Sequence, residues 1–219
     1  MLKQRLEALA DAMFPIIMTL LVIEIKVPEH LKTFSEGKLW DEIQHTGPLF
    51  FAYALSFAIL VNLWFGHVFL FSMMVKSVNR IVGYLHMLFL GVICLLPYST
   101  HLLGQYPTST VAISWYAIHM FIIYAMFAYL RNRILYDDEI ENNTLMEAGL
   151  EPIDWWYGSM RIYMNLLCSI LSIILSFVNP YAAIAIIVFT TAVQAIPGLM
   201  KFLLQVTGLE YILYKRIYK

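Results

Sequence analysis

The chain has 219 residues, of which 61% are hydrophobic and only 13% are charged. A water-soluble protein with this composition would expose far too much apolar surface, so the composition excludes a soluble globular domain and indicates a membrane protein. The formal net charge is −1, and no basic tract suggests a nucleic-acid partner.

Six apolar segments are long enough to cross a bilayer, which takes about 20 apolar residues per helix. They cover residues 8–27, 48–72, 80–102, 110–131, 160–178 and 181–204. These segments use well over half of the chain, and no internal repeat divides it. The sequence therefore predicts an all-α membrane protein, with one six-helix transmembrane domain over residues 1–219.

The basic residues predict the orientation of the chain in the membrane. If the N-terminus lies inside, only Lys26, Lys32 and Lys38 of the 14 lysines and arginines fall on the outer side. This strong positive-inside bias predicts a multi-pass protein of the cell (inner) membrane with both termini in the cytoplasm. The first segment has no small-residue cleavage site, so we expect it to be a retained helix and not a signal peptide.

The first segment carries a stripe formed by Ile16, Thr19, Leu20 and Ile23, which fall within an arc of roughly 100° on a helix. If several copies met around an axis, this arc would line a narrow apolar hole with one layer of hydroxyl groups, as in an ion gate and filter. The same stripe would also suit helix packing within one subunit. The Thr19 hydroxyl has two alternatives as well: weak ligation of a cation, or a bond to its own helix at Pro15 or Ile16.

The start of this segment is charged. Asp11 lies roughly 140° from Ile16 on the helical wheel, so we expect its carboxylate to face neighbouring helices in a structural ion pair. The basic residues predicted at its depth are Arg5, Arg80 and Arg161. Pro15 cannot donate to the carbonyl group of Asp11, which predicts a kink between the charged start and the stripe.

Two segments that connect the predicted spans have a composition that indicates their structure. The outer connection over residues 29–47 mixes charged and apolar residues and is predicted to form an amphipathic turn near the lipid headgroups. The cytoplasmic loop over residues 132–158 is acidic in its middle, which suits either a solvated loop or attraction of cations to a pore mouth. Within it, Thr144 and Glu147 form a capping-box pattern that predicts a short helix. Residues 155–157 read as an interfacial aromatic belt.

Three histidines, His67, His86 and His119, lie in or near different predicted spans. A histidine pair can bind haem, which leaves a non-conducting haem- or metal-binding membrane protein as the alternative function. Interhelical hydrogen bonding is the other interpretation of the same residues. The sequence holds no HExxH motif, no cysteine-rich metal set and no paired membrane carboxylates, so we predict neither an enzyme nor a metal site. A proton-coupled transporter is disfavoured because no carboxylate lies in mid-membrane.

The charged start resembles a family motif. Residues 5–11 read RLEALAD, similar to the RxxxFSD motif of the endosomal and lysosomal potassium-channel family, six-helix channels without a pore-loop filter. Arg5 and Asp11 match the motif, whereas Leu9 and Ala10 stand where that family has Phe and Ser.

Further residues carry the same resemblance, which extends over residues 5–107. The stretches TLLVIEIKVP from Thr19 and LLPYSTHLLGQYP from Leu95 are similar to the family's first helix and to the end of its third. His67 resembles the family's histidine near the end of the second helix. Tyr84 stands where the family often has Trp early in the third.

The resemblance implies a homotetramer of six-helix subunits whose first helices line a central pore, and a passive potassium-preferring channel that needs no cofactor besides the permeant K⁺. It implies that Ile16 forms the hydrophobic gate, with Leu20 and Ile23 extending the apolar lining. Thr19 would supply the hydroxyl layer tied to potassium preference. Arg5 and Asp11 would hold the first helix against its neighbours.

Overall fold

The structure, a computed structural model, describes residues 2–25, 36–136, 140, 142, 152–196 and 198–206. This part of the chain is α-helical, and its helices are α1 (Leu2–Ile23), α2 (Glu36–His45), α3 (Gly47–Val68), α4 (Arg80–Ile93), α5 (Leu96–Gln105), α6 (Thr110–Tyr136), α7 (Pro152–Ser176), α8 (Pro180–Ala195) and α9 (Leu199–Val206). The predicted all-α membrane fold is confirmed.

The first helix, α1, begins at Leu2 and not at residue 8, and it continues through Pro15 without interruption. Its first turns extend the apolar span with a charged segment that carries Lys3, Arg5 and Glu7. One face of α1 packs against the rest of the subunit. The buried residues of that face are Leu6, Ala10, Phe14, Ile17 and Leu21.

The connection between the first two spans, predicted to lie on the outer side, contains a helix where the sequence predicts a turn. α2 covers Glu36–His45 and leaves Trp40 and Ile43 exposed. Charged residues share this short helix with these apolar side chains, which is the composition of a helix that lies along a membrane surface. Its amphipathic character agrees with the prediction, whereas the secondary structure does not.

The second and third spans each contain a local irregularity. α3 passes into a π-helical turn, Phe69–Met74, so that the second apolar stretch runs over Gly47–Met74. The third runs over Arg80–Gln105 but is interrupted between α4 and α5. Pro97 explains this break, because it has no N–H for the carbonyl group of Ile93, four residues earlier.

The last predicted span, residues 181–204, is not one straight helix. α8 ends at Ala195 and α9 begins at Leu199, and the two axes differ in direction by 108°. Gly198 between them has a φ of +80°, a left-handed conformation that favours glycine and ends helices. Five helical stretches of the described chain are long and apolar enough to cross a membrane, and the bent pair makes a sixth if it counts as one span.

The long loop differs from its predicted limits. α6 extends to Tyr136 and α7 begins at Pro152, so the connection between them is shorter than residues 132–158. The predicted aromatic belt, residues 155–157, lies in the first turns of α7. The capping-box pattern at Thr144 and Glu147 lies outside the described residues.

Buried polar groups join the helices in the core. The Thr100 hydroxyl of α5 donates to the Ser56 hydroxyl oxygen of α3 at 2.7 Å, and Ser56 and the Tyr116 hydroxyl of α6 are 2.8 Å apart. A buried hydroxyl is costly unless it finds such a partner. This chain of three hydroxyl groups therefore fixes α3, α5 and α6 relative to one another.

Gly104 of α5 marks a close approach to α3. A Cβ atom at this position would lie 2.7 Å from Leu49 Cδ2 and 2.9 Å from Leu49 Cα. The second contact is with backbone, so a change of Leu49 rotamer cannot relieve it. Only glycine fits here without a shift of one helix.

We therefore expect Gly104→Ala to destabilise the protein by about 1–3 kcal/mol, the usual cost of overpacking a close contact. The measurement is the midpoint of thermal unfolding of the purified protein in detergent. Gly91→Ala in α4 is the matched control, because a Cβ atom there meets nothing within 4 Å. Equal midpoints for the two variants would contradict the assigned contact.

Candidate functional site

The predicted stripe of α1 lies on the face that the subunit leaves uncovered. Ile16 is 57% exposed, Leu20 42% and Ile23 65%, and Thr19 is exposed between them. The other face of the helix is buried, so one side of α1 packs within its own subunit and the opposite side is exposed. The structure therefore brings the four predicted residues together on a single accessible surface.

The hydroxyl group in this stripe has a partner within its own helix. Thr19 Oγ1 donates to the carbonyl oxygen of Ile16 at 2.7 Å, which is one of the alternatives that the sequence left open. Because this bond uses the hydroxyl hydrogen, the lone pairs of Oγ1 stay available to another group. The two interpretations of Thr19 are therefore compatible.

Asp11 has a different partner from the one predicted. Its Oδ1 accepts a hydrogen bond from the Trp64 indole Nε1 of α3 at 3.2 Å, and not from an arginine. The sequence of α1 does not point to Trp64, because the helical wheel shows which way Asp11 faces but not which residue of another helix lies at that depth. Among the described residues, Arg5 is exposed and Arg161 lines a cavity elsewhere in the subunit.

A second contact holds the charged start of α1 to the same region. The Glu7 carboxylate accepts a hydrogen bond from the Ser72 hydroxyl at 3.2 Å and lies 3.8 Å from Lys3 Nζ. Ser72 belongs to the π-helical turn at the end of α3. Two carboxylates of α1 thus bind side chains along one stretch of the second span.

His67 and His86 form a buried pair between α3 and α4. Their Nε2 atoms are 2.8 Å apart, and both rings are almost fully buried. The Phe71 ring stacks on His67 with centroids 4.5 Å apart, and Phe14 of α1 lies 6.0 Å from the same ring. The bond needs one N–H and one bare nitrogen, so at least one ring is neutral. The pair joins α3 and α4 next to the buried face of α1.

His119 takes part in a separate set of hydrogen bonds. Its Nδ1 lies 2.7 Å from the Ser99 hydroxyl oxygen, and its Nε2 lies 3.0 Å from the carbonyl oxygen of Val92. Interhelical hydrogen bonding, one of the two alternatives for the histidines, is therefore what the structure shows. In the described part of the chain, no group of three or more His, Cys, Asp or Glu side chains could hold a metal ion.

Tyr84 stands apart from these contacts. Its side chain is 73% exposed on α4, so the subunit does not bring it to the buried histidine pair. The aromatic contact to the charged start of α1 comes from Trp64 instead. Trp64 lies one helical turn before His67, a spacing that would have placed both on one face of α3.

The opposite end of α1 is held by a polar contact to α5. A Glu24 carboxylate oxygen lies 3.3 Å from His101 Nδ1. Together with the contacts of Glu7 and Asp11, this places a polar anchor near each end of the helix. The exposed stripe lies between these anchors.

Comparisons with known proteins agree with this arrangement. The family model described as "Endosomal/lysosomal potassium channel TMEM175" matches residues 5–97. A potassium channel of Chryseobacterium sp. (strain P1-3) is 30% identical over 197 residues, which cover 90% of this chain and 94% of that protein. The human endosomal/lysosomal proton channel TMEM175 is 37% identical over 100 residues, which are 43% of this chain and 20% of the human protein.

The fold is similar to a solved member of this group. The crystal structure of a lysosomal potassium-selective channel TMEM175 homologue from Chamaesiphon minutus superimposes with a TM-score of 0.72 at 26% identity. The match covers 88% of this chain and 97% of the crystallised one. The sequence comparisons and the fold comparison agree, and the resemblance found in the sequence is confirmed: this chain belongs to the TMEM175 family of ion channels.

Proposed function

We propose that this protein is a passive, potassium-preferring cation channel of the inner membrane, a homotetramer in which four copies of α1 line a central pore. The observation that carries the proposal is the exposed stripe of Ile16, Thr19, Leu20 and Ile23 on a helix whose other face is buried. The Chryseobacterium relative is named a potassium channel and the Chamaesiphon structure a potassium-selective channel, which supports the choice of ion.

The gate is a ring of four Ile16 side chains. Apolar side chains that converge on a narrow axis exclude water as well as filling space, so an ion at this level loses hydration without gaining ligands. Leu20 and Ile23 extend the apolar lining toward the end of α1. A small outward or rotational movement of α1 would widen the ring and let water enter.

Selectivity comes from the layer formed by Thr19. It lies three residues beyond Ile16, about 4.5 Å along the helix axis. The hydroxyl hydrogen is engaged by the Ile16 carbonyl oxygen, so the Oγ1 atoms of four subunits turn lone pairs, and not hydrogens, toward a cation. Four hydroxyl oxygens are weaker ligands than stacked rings of carbonyl oxygens, which makes the preference for K⁺ modest.

Arg5 and Asp11 belong to the machinery that positions α1. The Trp64–Asp11 hydrogen bond and the Ser72–Glu7 contact fix the charged start against α3 and its π-helical turn. The buried pair His67 and His86 lies behind α1 and stiffens the surface on which it rests. Movement of α1 during opening would take place against this support.

The test is ion flux in proteoliposomes that hold the purified protein, with K⁺ and Na⁺ gradients compared at equal ionic strength. We expect K⁺ flux to exceed Na⁺ flux. A parallel arm with a pH-sensitive dye measures proton flux, because the human relative is named a proton channel. Folded protein that passes no K⁺, or that passes Na⁺ equally well, would contradict the proposal.

The tetramer has its own test. Native mass spectrometry should give a particle about four times the 25.4 kDa of one chain. A monomer would leave the α1 stripe facing lipid. This result would contradict the proposed central pore even if the protein conducted ions.

A further inference from the structure

The connection between α6 and α7 is attached to the end of the second span. Asn142 of this connection and Val75, which follows the π-helical turn, form an isolated antiparallel β-bridge. The Val75 backbone is extended and its side chain is fully buried. The two residues are far apart in the sequence, so the bridge is a tertiary contact and not a local turn.

A side-chain contact holds Asn142 to α6 as well. Its Nδ2 donates to the carbonyl oxygen of Ile134 at 2.6 Å. Ile134 lies in the last turn of α6, where the carbonyl groups have no N–H partner within the helix. Asn142 satisfies one of these groups with its side chain while its backbone pairs with Val75. It therefore links the end of α6 to the end of the second span.

Ile140 adds an apolar contact to the same attachment. It stands in the acidic middle of the loop, yet only 6% of its surface is exposed. It belongs to one hydrophobic cluster with Val75 and Ile134. A loop that is only solvated would leave this side chain in water, whereas its burial is favourable. We call the β-bridge, the Asn142 side-chain bond and the buried Ile140 together the loop contact.

The loop contact lies next to the residues that hold α1. Ser72, three residues before Val75, donates to the Glu7 carboxylate of α1 at 3.2 Å. Phe71 of the same π-helical turn is fully buried and stacks on His67. The turn is thus fixed at one end by α3 and at the other by the loop contact. Release of the loop contact would therefore loosen a segment that binds α1.

We propose that the loop contact is a regulatory contact that holds α1 in its resting position. While Ile140 and Asn142 are docked, the π-helical turn and the charged start of α1 stay in place. When the loop is released, the turn gains freedom and α1 moves more easily, which favours opening of the gate. A contact that is present in one state and lost in the other shifts the balance between the two. The regulatory role rests on the proposed function, whereas the contact itself does not.

An engineered disulfide tests the contact first. The double variant Val75→Cys, Asn142→Cys is made in protein whose own cysteines, Cys94 and Cys168, are replaced by Ala. Residues directly opposite each other in an antiparallel pair have Cα atoms about 4.5–5.5 Å apart, within the range of about 4.4–6.8 Å that a disulfide spans. We expect mild oxidation to link the two residues, as measured by peptide mass spectrometry. Failure to form the link in folded protein would contradict the contact.

The same protein tests the regulatory role. K⁺ flux into proteoliposomes is compared before and after a membrane-permeant reductant cleaves the disulfide. We expect the flux to be about threefold or more lower with the disulfide intact, because the link prevents release of the loop. The two single-cysteine variants are the matched controls, and the reductant should leave their flux unchanged. Equal flux before and after reduction of the double variant would overturn the regulatory role.

Loss of the apolar contact should have the opposite effect. Ile140→Ser places a hydroxyl group where an apolar side chain is buried, so it favours the released loop and should raise the resting K⁺ flux about threefold or more. Ile140→Val keeps the apolar contact and should conduct like the unmodified protein. Both variants are checked for folding by size-exclusion chromatography. A folded Ile140→Ser variant with unchanged or lower flux would contradict the proposal.

The unmodified protein distinguishes this proposal from the channel proposal. If it passes no K⁺, the channel function is contradicted and the regulatory role fails with it. If it conducts and the double variant does not respond to reduction, only the regulatory role is contradicted. If Ile140→Ser does not fold, the flux of the double variant before and after reduction still decides the outcome.

Discussion

Replacing Ile16 by Asn is expected to increase the resting flux of K⁺ and Na⁺ through the reconstituted protein by about tenfold or more. The change puts four amide groups into a ring where four apolar side chains exclude water, and a wetted ring offers hydrogen bonds to a hydrated ion. Lowering the barrier to permeation by only about 1.4 kcal/mol is enough for a tenfold change in rate. The measurement is the initial rate of flux into proteoliposomes at matched protein content.

A matched control separates a gate from general disruption of the bundle. Ile174 of α7 is 58% exposed, almost the same as the 57% of Ile16, and it lies outside the proposed pore. Ile174→Asn should leave the flux near that of the unmodified protein, with both variants checked for folding by size-exclusion chromatography. A similar increase in both variants, or none in folded Ile16→Asn, would remove Ile16 from the gate.

The stripe of α1 was predictable because its cause is local. Helical periodicity alone places Ile16, Thr19, Leu20 and Ile23 on one face, and the structure leaves that face uncovered. The match of Arg5 and Asp11 to the family motif could be recognised for the same reason, because a motif consists only of residue types at a fixed spacing. Fold class and family therefore followed from the sequence.

Partners across helices were not predictable in the same way. The sequence shows that Asp11 faces a neighbour, but the choice of Trp64 over an arginine depends on the relative height of α1 and α3. The His67–His86 bond similarly depends on how closely α3 and α4 approach each other at the level of these two residues. Such registers follow from the packing of the whole bundle and not from any single segment.

The residues that interrupt the apolar segments can be seen in the sequence, but the mean hydropathy of a window does not reveal them. Pro97 divides the third span into α4 and α5, and Gly198 with positive φ separates α8 from α9. Both residue types commonly mark helix ends. A window of about 20 apolar residues remains apolar across such a residue, which is why the sequence predicted unbroken spans at both places.

The second large effect is expected at the hydroxyl layer, where Thr19→Ala should lower the preference for K⁺ over Na⁺ while conduction continues. The substitution removes four hydroxyl oxygens from the proposed pore, and Oγ1 of Thr19 has lone pairs available because its hydrogen is bound to the Ile16 carbonyl oxygen at 2.7 Å. If the four oxygens together favour K⁺ by about 1 kcal/mol, the permeability ratio falls about fivefold. The measurement is the reversal potential with K⁺ on one side of the membrane and Na⁺ on the other.

Two further substitutions at this position identify the chemical group responsible. Thr19→Ser keeps the hydroxyl and should retain most of the preference for K⁺, whereas Thr19→Val keeps the shape without the oxygen and should behave like Thr19→Ala. If Thr19→Val retains the preference for K⁺ and Thr19→Ser loses it, the side chain acts by filling space and not by binding the ion. An unchanged reversal potential in all three variants would place the selectivity of the channel elsewhere. The Thr19 hydroxyl would then serve only to bond the carbonyl oxygen of Ile16 in its own helix.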